Sequence, residues 1–364
     1  MRTFPRTMHF CAYRDLMGAA RSLQVLLREL NRRQPTPVFV YEPSEVSRAL
    51  EAEGVPVIIA VPQGAKRLSR WRRGVIAINT LRKAIKQYDC RVLHTLNTKH
   101  LPLAAIAARL SGAKLVSHQR EIYGGRDHNK HLSLSHRIIT VSDEVRRSLP
   151  ERLRERAVAV YNAYPLPDDV PDRDSRSILK VGAAGRLTAE KGVDLLLDAV
   201  IHLLPKHDFE VFMVGLNEPT RQTEFVANME AKITGLPVDR TNRINLLPFR
   251  EDIAGFYREM DIVVQPSRCR EGFGRVAIEA MAHRCAVIVA GHGGLAEIVD
   301  HDVNGLHHEP DNADDLMTQL DRLLGDTELR RRLGDAGRKK VERQFQPDVH
   351  ADAIIEVYRD AIGG

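Results

Sequence analysis

The chain has 364 residues, 43% of them apolar and 28% charged, with a formal net charge of +6. At ~100–200 residues per domain this is a two-domain length, and the balance excludes a disordered or fibrous chain. No apolar run approaches the ~20 residues that span a bilayer. The four cysteines, Cys11, Cys90, Cys269 and Cys285, make neither a disulfide framework nor a CxxC zinc pair.

The opening residues MRTFPRTMHFCAYRD hold no continuous apolar stretch ending in small residues. They read as a first strand and not as a signal peptide, so the expectation is a reduced, cytoplasmic enzyme. The net charge hides a split. Residues 1–180 carry 32 Lys and Arg against 17 Asp and Glu, a net +15, which leaves 22 against 31, a net −9, for the remainder. Such asymmetry fits an anionic partner for the front half. It equally fits composition, since Arg supplies 42 of the 54 basic residues.

Strand and helix patterns alternate along the chain. Front strands are predicted at Thr7–Tyr13, Thr36–Tyr41, Pro56–Val61, Arg91–Leu96, Lys114–His118, Arg137–Val141 and Ala157–Tyr161. Between them, Gly18–Arg33 places Leu23, Leu26, Leu27 and Leu30 on one helical face, and Val75–Lys86 does the same with Val75, Ile78, Leu81 and Ile85. The Pro- and Asp-rich stretch Tyr164–Ser177 has no periodicity and reads as a linker. Back strands follow at Leu179–Ala183, Glu210–Val214, Ile244–Leu247, Asp261–Gln265 and Ala286–Ala290. This alternation predicts α/β architecture twice over: a domain at 1–165, a second at 171–346, and a final helix within 347–364 that crosses back onto the first. Ligands are then expected at the carboxyl ends of parallel strands.

Two back-half segments carry chemistry. VGAAGRLTAEKG, Val181–Gly192, leaves a strand, turns through Gly182 and Gly185 and enters a helix near Val193. Strand, glycine turn and helix start suit a phosphate, and Arg186 and Lys191 would offset a pyrophosphate's charge. Taken alone, the segment reads more readily as a surface turn with solvated cations, because glycine turns before helices are common in this fold. It fits neither GxxxxGK[ST] nor GxGxxG. In PSRCREGFGRVAIEAMAHRCAVIVAGHGGLAEIV, Pro266–Val299, seven residues separate Glu271 from Glu279. Glu271 falls in a loop and Glu279 one turn into a helix starting near Arg275, so they would hold different hydroxyls of one polyol. Gly272 and Gly274 leave backbone N–H groups open to a ligand. A second glycine turn, His292–Gly294, precedes a helix holding Glu297.

GRLTAEKGVDLLLDA, PSRCREGFGRVAIEAMA and GHGGLAEIVDHDVNGLHHEPDN together resemble the family-4 retaining glycosyltransferases of the GT-B fold. The resemblance implies two Rossmann-like, doubly wound parallel-sheet domains facing across a cleft, the back one holding a nucleotide sugar (UDP- or GDP-linked) and the front one the acceptor. It implies that Arg186 and Lys191 contact the donor pyrophosphate. Glu271, with the amides of Gly272, Phe273 and Gly274, would contact the donor sugar, and Glu279 the ribose. YRDLMGAARSLQVLLREL resembles the loop and helix whose glycine pair approaches the donor phosphates, here Gly18 followed by Ala19. KLVSHQREIYGG resembles the segment that carries a histidine near the reacting sugar, which gives His118 that place. HRIITVSDEVRRSL and VAVYNAYPLP resemble the end of the front domain, with Ser142 and Asn162 near the cleft. Where the family has glycine and then proline after EAMA, this chain has Arg284 and Ala286.

Loss of a sugar–phosphate bond leaves negative charge on the departing diphosphate. An Asp-x-Asp spacing, Asp172–Arg173–Asp174, lies in the linker and not in a suitable loop. The expectation is therefore a metal-independent, cofactor-free enzyme in which Arg186, Lys191 and helix N-termini stabilise the diphosphate. KRLSRWRR, Lys66–Arg73, packs five basic residues around the only tryptophan. It suits an anionic membrane face, hence a peripheral enzyme with a glycan or lipid-linked acceptor in cell-envelope or lipopolysaccharide synthesis. It is equally a solvated loop with Trp71 anchored in the core. Competing functions are an epimerase or phosphorylase on the same scaffold, a silent partner subunit, and a nucleic-acid-binding protein. The last is opposed by the low aromatic content, 5%, because stacking platforms would be scarce.

Overall fold

A computed structural model describes residues 4–16, 18–61, 69–96, 98–122, 126–171, 178–217 and 223–363. The chain divides into two units, Met1–Ala163 with Gln346–Gly364, and Tyr164–Phe345. Lys66, Arg67 and the Asp172–Asp174 triplet lie outside the described residues.

The first unit is built on seven strands: β1 (Thr7–Cys11), β2 (Val38–Val40), β3 (Val57–Ile59), β4 (Val92–Thr95), β5 (Lys114–Gln119), β6 (Arg137–Thr140) and β7 (Ala157–Ala159). Their order is β3-β2-β1-β4-β5-β6-β7, and each pair is parallel. Parallel strands need crossover helices, and helices on both faces leave both faces buried. The helix Gly18–Arg33 buries Leu23, Leu26, Leu27 and Leu30 as its periodicity predicts. The helix Pro347–Gly363, from the far end of the sequence, lays Ile354, Ile355 and Tyr358 on the same face as Val92, Val116 and Ile139.

The second unit has six strands: β8 (Leu179–Ala184), β9 (Phe209–Leu216), β10 (Ile244–Pro248), β11 (Ile262–Gln265), β12 (Ala286–Ala290) and β13 (Leu306–His308). They run parallel in the order β10-β9-β8-β11-β12-β13. β13 is absent from the sequence reading, because LHH is three residues long and mostly polar. Gly182, read there as part of the turn, lies inside β8. A Cβ at that position would meet Met260 Cγ at 2.6 Å and Phe256 Cζ at 2.8 Å, so this glycine serves packing. No helix among the described residues is long and apolar enough to cross a membrane.

One polar cluster lies inside the first unit. His9 on β1 pairs in register with His94 on β4, and their rings are 4.7 Å apart. His118 on β5 stacks on His94 at 5.4 Å. Tyr358 of the last helix has its hydroxyl 2.7 Å from His94 Nδ1 and 3.2 Å from His9 Nε2. Burial pushes His9 down to about 3 and His350 to about 4, and it holds His94 and His118 well below the usual histidine value, all aided at His94, His118 and His350 by the Arg120 charge. These rings are neutral in the folded chain and protonate in the unfolded one below its pKa of ~6.5. Their contribution is thus complete above that pH and is lost as pH falls, by up to ~1.4 kcal/mol per pH unit for each ring. The urea midpoint of this unit is therefore expected to drop between pH 6.5 and pH 5. A flat midpoint over that interval would mean the histidines are charged when folded.

Candidate functional site

The turn after β8 and the loop after β11 emerge side by side because these strands are neighbours in the sheet. Gly185 begins the turn at φ +133° with open space around its Cβ position. The turn continues through a 3-10 segment, Ala189–Lys191, and Gly192 at φ +65° leads into the helix Val193–Leu203. A Cβ on Gly192 would lie 2.0 Å from Pro266 O, so only glycine lets the turn approach the β11 loop so closely.

That approach brings Lys191 and Glu271 together. Lys191 Nζ donates to Glu271 Oε1 at 2.5 Å, and Ser267 Oγ and Gln265 Nε2 donate to the same oxygen at 2.7 and 3.4 Å. The pair is mostly buried, with side-chain exposures of 25% and 16%. Within the described residues Glu271 Oε2 accepts no hydrogen bond and Lys191 Nζ has no other partner. An ammonium has three donors, so two remain for a second anion. Arg186, in the same turn, is more than half exposed and only loosely paired with Glu190 at 3.8 Å. The sequence-predicted cations and Glu271 therefore share one region, although Lys191 bonds directly to the glutamate.

The glycine run fixes the loop's outer wall. Gly274 caps the helix Arg275–Ala282 at φ +114°. Gly294 N donates to Glu271 O at 2.8 Å, and a Cβ there would meet Gly272 O at 2.6 Å and Phe273 Cα at 2.7 Å. His292 Nε2 bonds Ser267 O at 2.9 Å. The second glycine turn thus packs directly on the backbone of Glu271, Gly272 and Phe273, whose ring is buried.

Glu279 is 4% exposed on the helix. Arg275, one turn earlier, forms an ion pair with Oε1, and Tyr257 donates its hydroxyl to Oε2 at 3.0 Å. Burial, reinforced by the Glu279 charge, holds the Tyr257 hydroxyl well above its usual pKa, so it stays a donor. The sequence reading missed Ser267, Gln265, Tyr257 and Arg275. The four-residue spacing of Arg275 and Glu279 was a legible signal. Tyr257 had none, because its contact is tertiary.

The front-half candidates lie in the first unit. Gly18 opens the helix Gly18–Arg33, exposed, and a Cβ there would meet nothing within 4 Å. His118 is 3% exposed, and among the described residues neither ring nitrogen has a hydrogen-bond partner. Ser142 is a helix cap whose Oγ accepts from Val145 N at 3.1 Å, and Asn162 Oδ1 accepts from Arg120 at 2.7 Å. Trp71 is 75% exposed, which overturns its reading as a core anchor. Among the described residues no group of three His, Cys, Asp or Glu is placed to hold a metal ion.

Residues 176–340 match the family described as Glycosyl transferases group 1, and residues 17–166 match Glycosyltransferase Family 4. The chain belongs to the family-4 glycosyltransferases. It is 33% identical over 228 residues to an uncharacterized glycosyltransferase of Methanocaldococcus jannaschii, covering 62% of this chain and 60% of that one. It is 30% identical over 183 residues to the lipopolysaccharide core biosynthesis mannosyltransferase LpcC of Rhizobium leguminosarum bv. viciae, covering 50% and 51%. The chain thus spans only about half to three-fifths of the length of these curated relatives. The crystal structure of Anabaena HepE in complex with UDP and glucose superposes with a TM-score of 0.81 at 21% identity, over 98% of this chain and 99% of that one. The fold is GT-B.

At the end of the Glu279 helix, the family's glycine position holds Arg284 at φ +60°. The left-handed conformation costs a non-glycine residue ~1–2 kcal/mol, part of which glycine gives back through its unfolded-state freedom. Arg284 also depresses the pKa of the half-buried Arg338, after burial itself, and has only a 3.5 Å pair with Asp335 in return. Arg284→Gly should stabilise the second unit by about 0.5–1 kcal/mol in urea unfolding. A destabilised variant would show that the arginine's contacts outweigh the backbone strain.

Proposed function

We propose that this protein is a retaining, metal-independent glycosyltransferase that moves a sugar from a nucleotide sugar, UDP- or GDP-linked, to a glycan or lipid-linked acceptor. The observation that carries the reading is the Lys191–Glu271 pair at a glycine bend beside the exposed Arg186. Lys191 keeps two donors for phosphate oxygens and Arg186 keeps its guanidinium, so the departing diphosphate meets fixed positive charge. Glu271, its Oε1 anchored by three donors, offers Oε2 to a donor-sugar hydroxyl. Glu279, anchored by Arg275 and Tyr257, has its remaining lone pairs for ribose hydroxyls. The bound UDP and glucose named for the HepE crystal structure support this donor class.

Retention fits an acceptor hydroxyl attacking from the face the diphosphate leaves, with its proton passing to that diphosphate. In this reading His118 stays neutral in its buried setting and does not accept the proton. Gly18 lies at the start of a helix, where backbone N–H groups favour an anion such as a phosphate.

Loss of one such desolvated charge contact costs ~2–5 kcal/mol, or roughly 30- to 4,000-fold in rate if felt wholly in the transition state. Lys191→Ala should therefore cut turnover strongly with circular dichroism unchanged. The donor is to be found by thermal shift against UDP-, GDP- and ADP-sugars, and its turnover should survive EDTA. Activity abolished by EDTA and restored by magnesium would reject metal independence, and a Lys191→Ala enzyme of full activity would reject the site.

The acceptor side rests on surface chemistry. Trp71 and Val75, one helical turn apart, are both exposed on the helix Arg70–Gln87, and Arg72 lies exposed between them. An indole among arginines suits the interface of an anionic bilayer, where each basic residue adds ~1 kcal/mol. This supports a peripheral enzyme of the inner membrane face, acting in cell-envelope or lipopolysaccharide synthesis. The Rhizobium relative, a lipopolysaccharide core mannosyltransferase, supports the same assignment. Flotation with phosphatidylglycerol vesicles at low salt should carry the wild-type protein up and leave a Trp71→Ala variant largely behind. Absence of wild-type binding would remove the membrane from the proposal.

A further inference from the structure

The loop after β11 is held by one side chain that neither the motif spacing nor the donor chemistry calls for. Arg268 lies three residues before Glu271, and its fork reaches three other parts of the second unit. Nη1 and Nη2 donate to the two carboxylate oxygens of Asp194 at 2.6 and 2.8 Å, in the first turn of the helix that follows Lys191. Nη1 also donates to Ala189 O at 2.8 Å, inside the Lys191 turn. Nε donates to Asp311 Oδ1 at 2.5 Å, in the loop that follows β13. The main chain adds two more ties, from Arg268 N and Cys269 N to Glu190 O at 3.0 and 3.2 Å.

The loops that leave β8, β11 and β13 are therefore clasped by a single guanidinium. Its hydrogen bonds with Asp194, and then Asp311, raise its pKa, so it is charged at every working pH. Two carboxylates take up that charge, so Arg268 is not available to a diphosphate as Arg186 is. A lysine would not serve equally, because a point ammonium cannot reproduce the planar two-bond fork on Asp194.

We infer that Arg268 is a positioning residue: with Asp194 and Asp311 it sets the separation of Lys191 from Glu271, and so the affinity of this site for a nucleoside diphosphate. The inference rests on the donor-site reading given under Proposed function. Lys191 and Glu271 come from different loops and meet at 2.5 Å, while no covalent or ladder constraint reaches their side chains. The clasp spans the same two loops, with one anchor on each side of Lys191, at Ala189 and Asp194.

Cys269 supplies a readout independent of activity. It adjoins Arg268 and is partly accessible, whereas Cys11, Cys90 and Cys285 are buried. Full-length wild type, Arg268→Gln, Arg268→Lys, Asp194→Asn and the Arg268→Gln/Asp194→Asn double variant are compared in two measurements. The first is the rate of Cys269 alkylation by a maleimide, assigned by peptide mass spectrometry. The second is calorimetric affinity for UDP, GDP and ADP.

Arg268→Gln should accelerate alkylation and weaken the preferred nucleotide about tenfold, the factor that corresponds to ~1.4 kcal/mol. Arg268→Lys should fall between it and wild type. The double variant should be no weaker than Arg268→Gln, because both substitutions open the same clasp. The inference is overturned if both Arg268 variants alkylate and bind as wild type does while only their melting temperatures fall. It is also overturned if the two losses add in full. A wild type that binds none of the three nucleotides, with alkylation still accelerated in the variants, would leave the clasp intact and reject the donor site.

Discussion

A lysine and a glutamate 80 residues apart in sequence meet at 2.5 Å, and the geometry of the second unit is arranged around that meeting. Parallel strands make it feasible. β8 and β11 are neighbours, so the segments leaving their carboxyl ends lie side by side however much chain intervenes. Glycine makes it close, since any side chain at position 192 would collide with the Pro266 carbonyl. Once formed, the pair is polarised: one glutamate oxygen is occupied three times and the other not at all, and the ammonium keeps two protons outward. An ion pair arranged like that keeps hydrogen-bonding capacity on both partners. It leaves an ammonium with two spare protons directly beside a carboxylate oxygen without a donor.

The first unit uses the same architecture with a different interior. Beneath the last helix, which itself carries His350, the first unit packs His9, His94 and His118, with one tyrosine hydroxyl bridging His9 and His94. Neutral imidazoles bring hydrogen-bonding capacity without the desolvation cost of a buried charge. Among the described residues they also leave several nitrogens without partners, both of His118 included, so ring stacking accompanies hydrogen bonding in this interior.

How legible was this from sequence? The alternation of elements was clear because a parallel sheet covered on both faces writes itself as short apolar runs between amphipathic stretches. The helix Gly18–Arg33 begins and ends where its leucines and flanking arginines place it. β13 was not legible, because its three residues acquire strand character only from pairing with β12. Within the site, Arg186, Lys191, Glu271 and Glu279 could be picked out because glycines and a repeat distance frame them. Ser267, Tyr257 and Arg268 could not, since their roles exist only after distant loops are brought together. Position 284 shows the converse: the departure from the family was visible as an arginine, but its cost became readable only as a backbone angle.

The last helix has a consequence for how the protein is made. Residues 346–364 belong to the first unit, and residues 164–345, between its two parts, make up the second. A ribosome therefore releases seven strands of the first unit, then a whole second unit able to close its own core, and only afterwards the helix that covers His94 and His9. Until then the first sheet has one incompletely covered face. The nascent chain is thus an interrupted domain waiting on residues 346–364, with apolar surface exposed to aggregation in the interval.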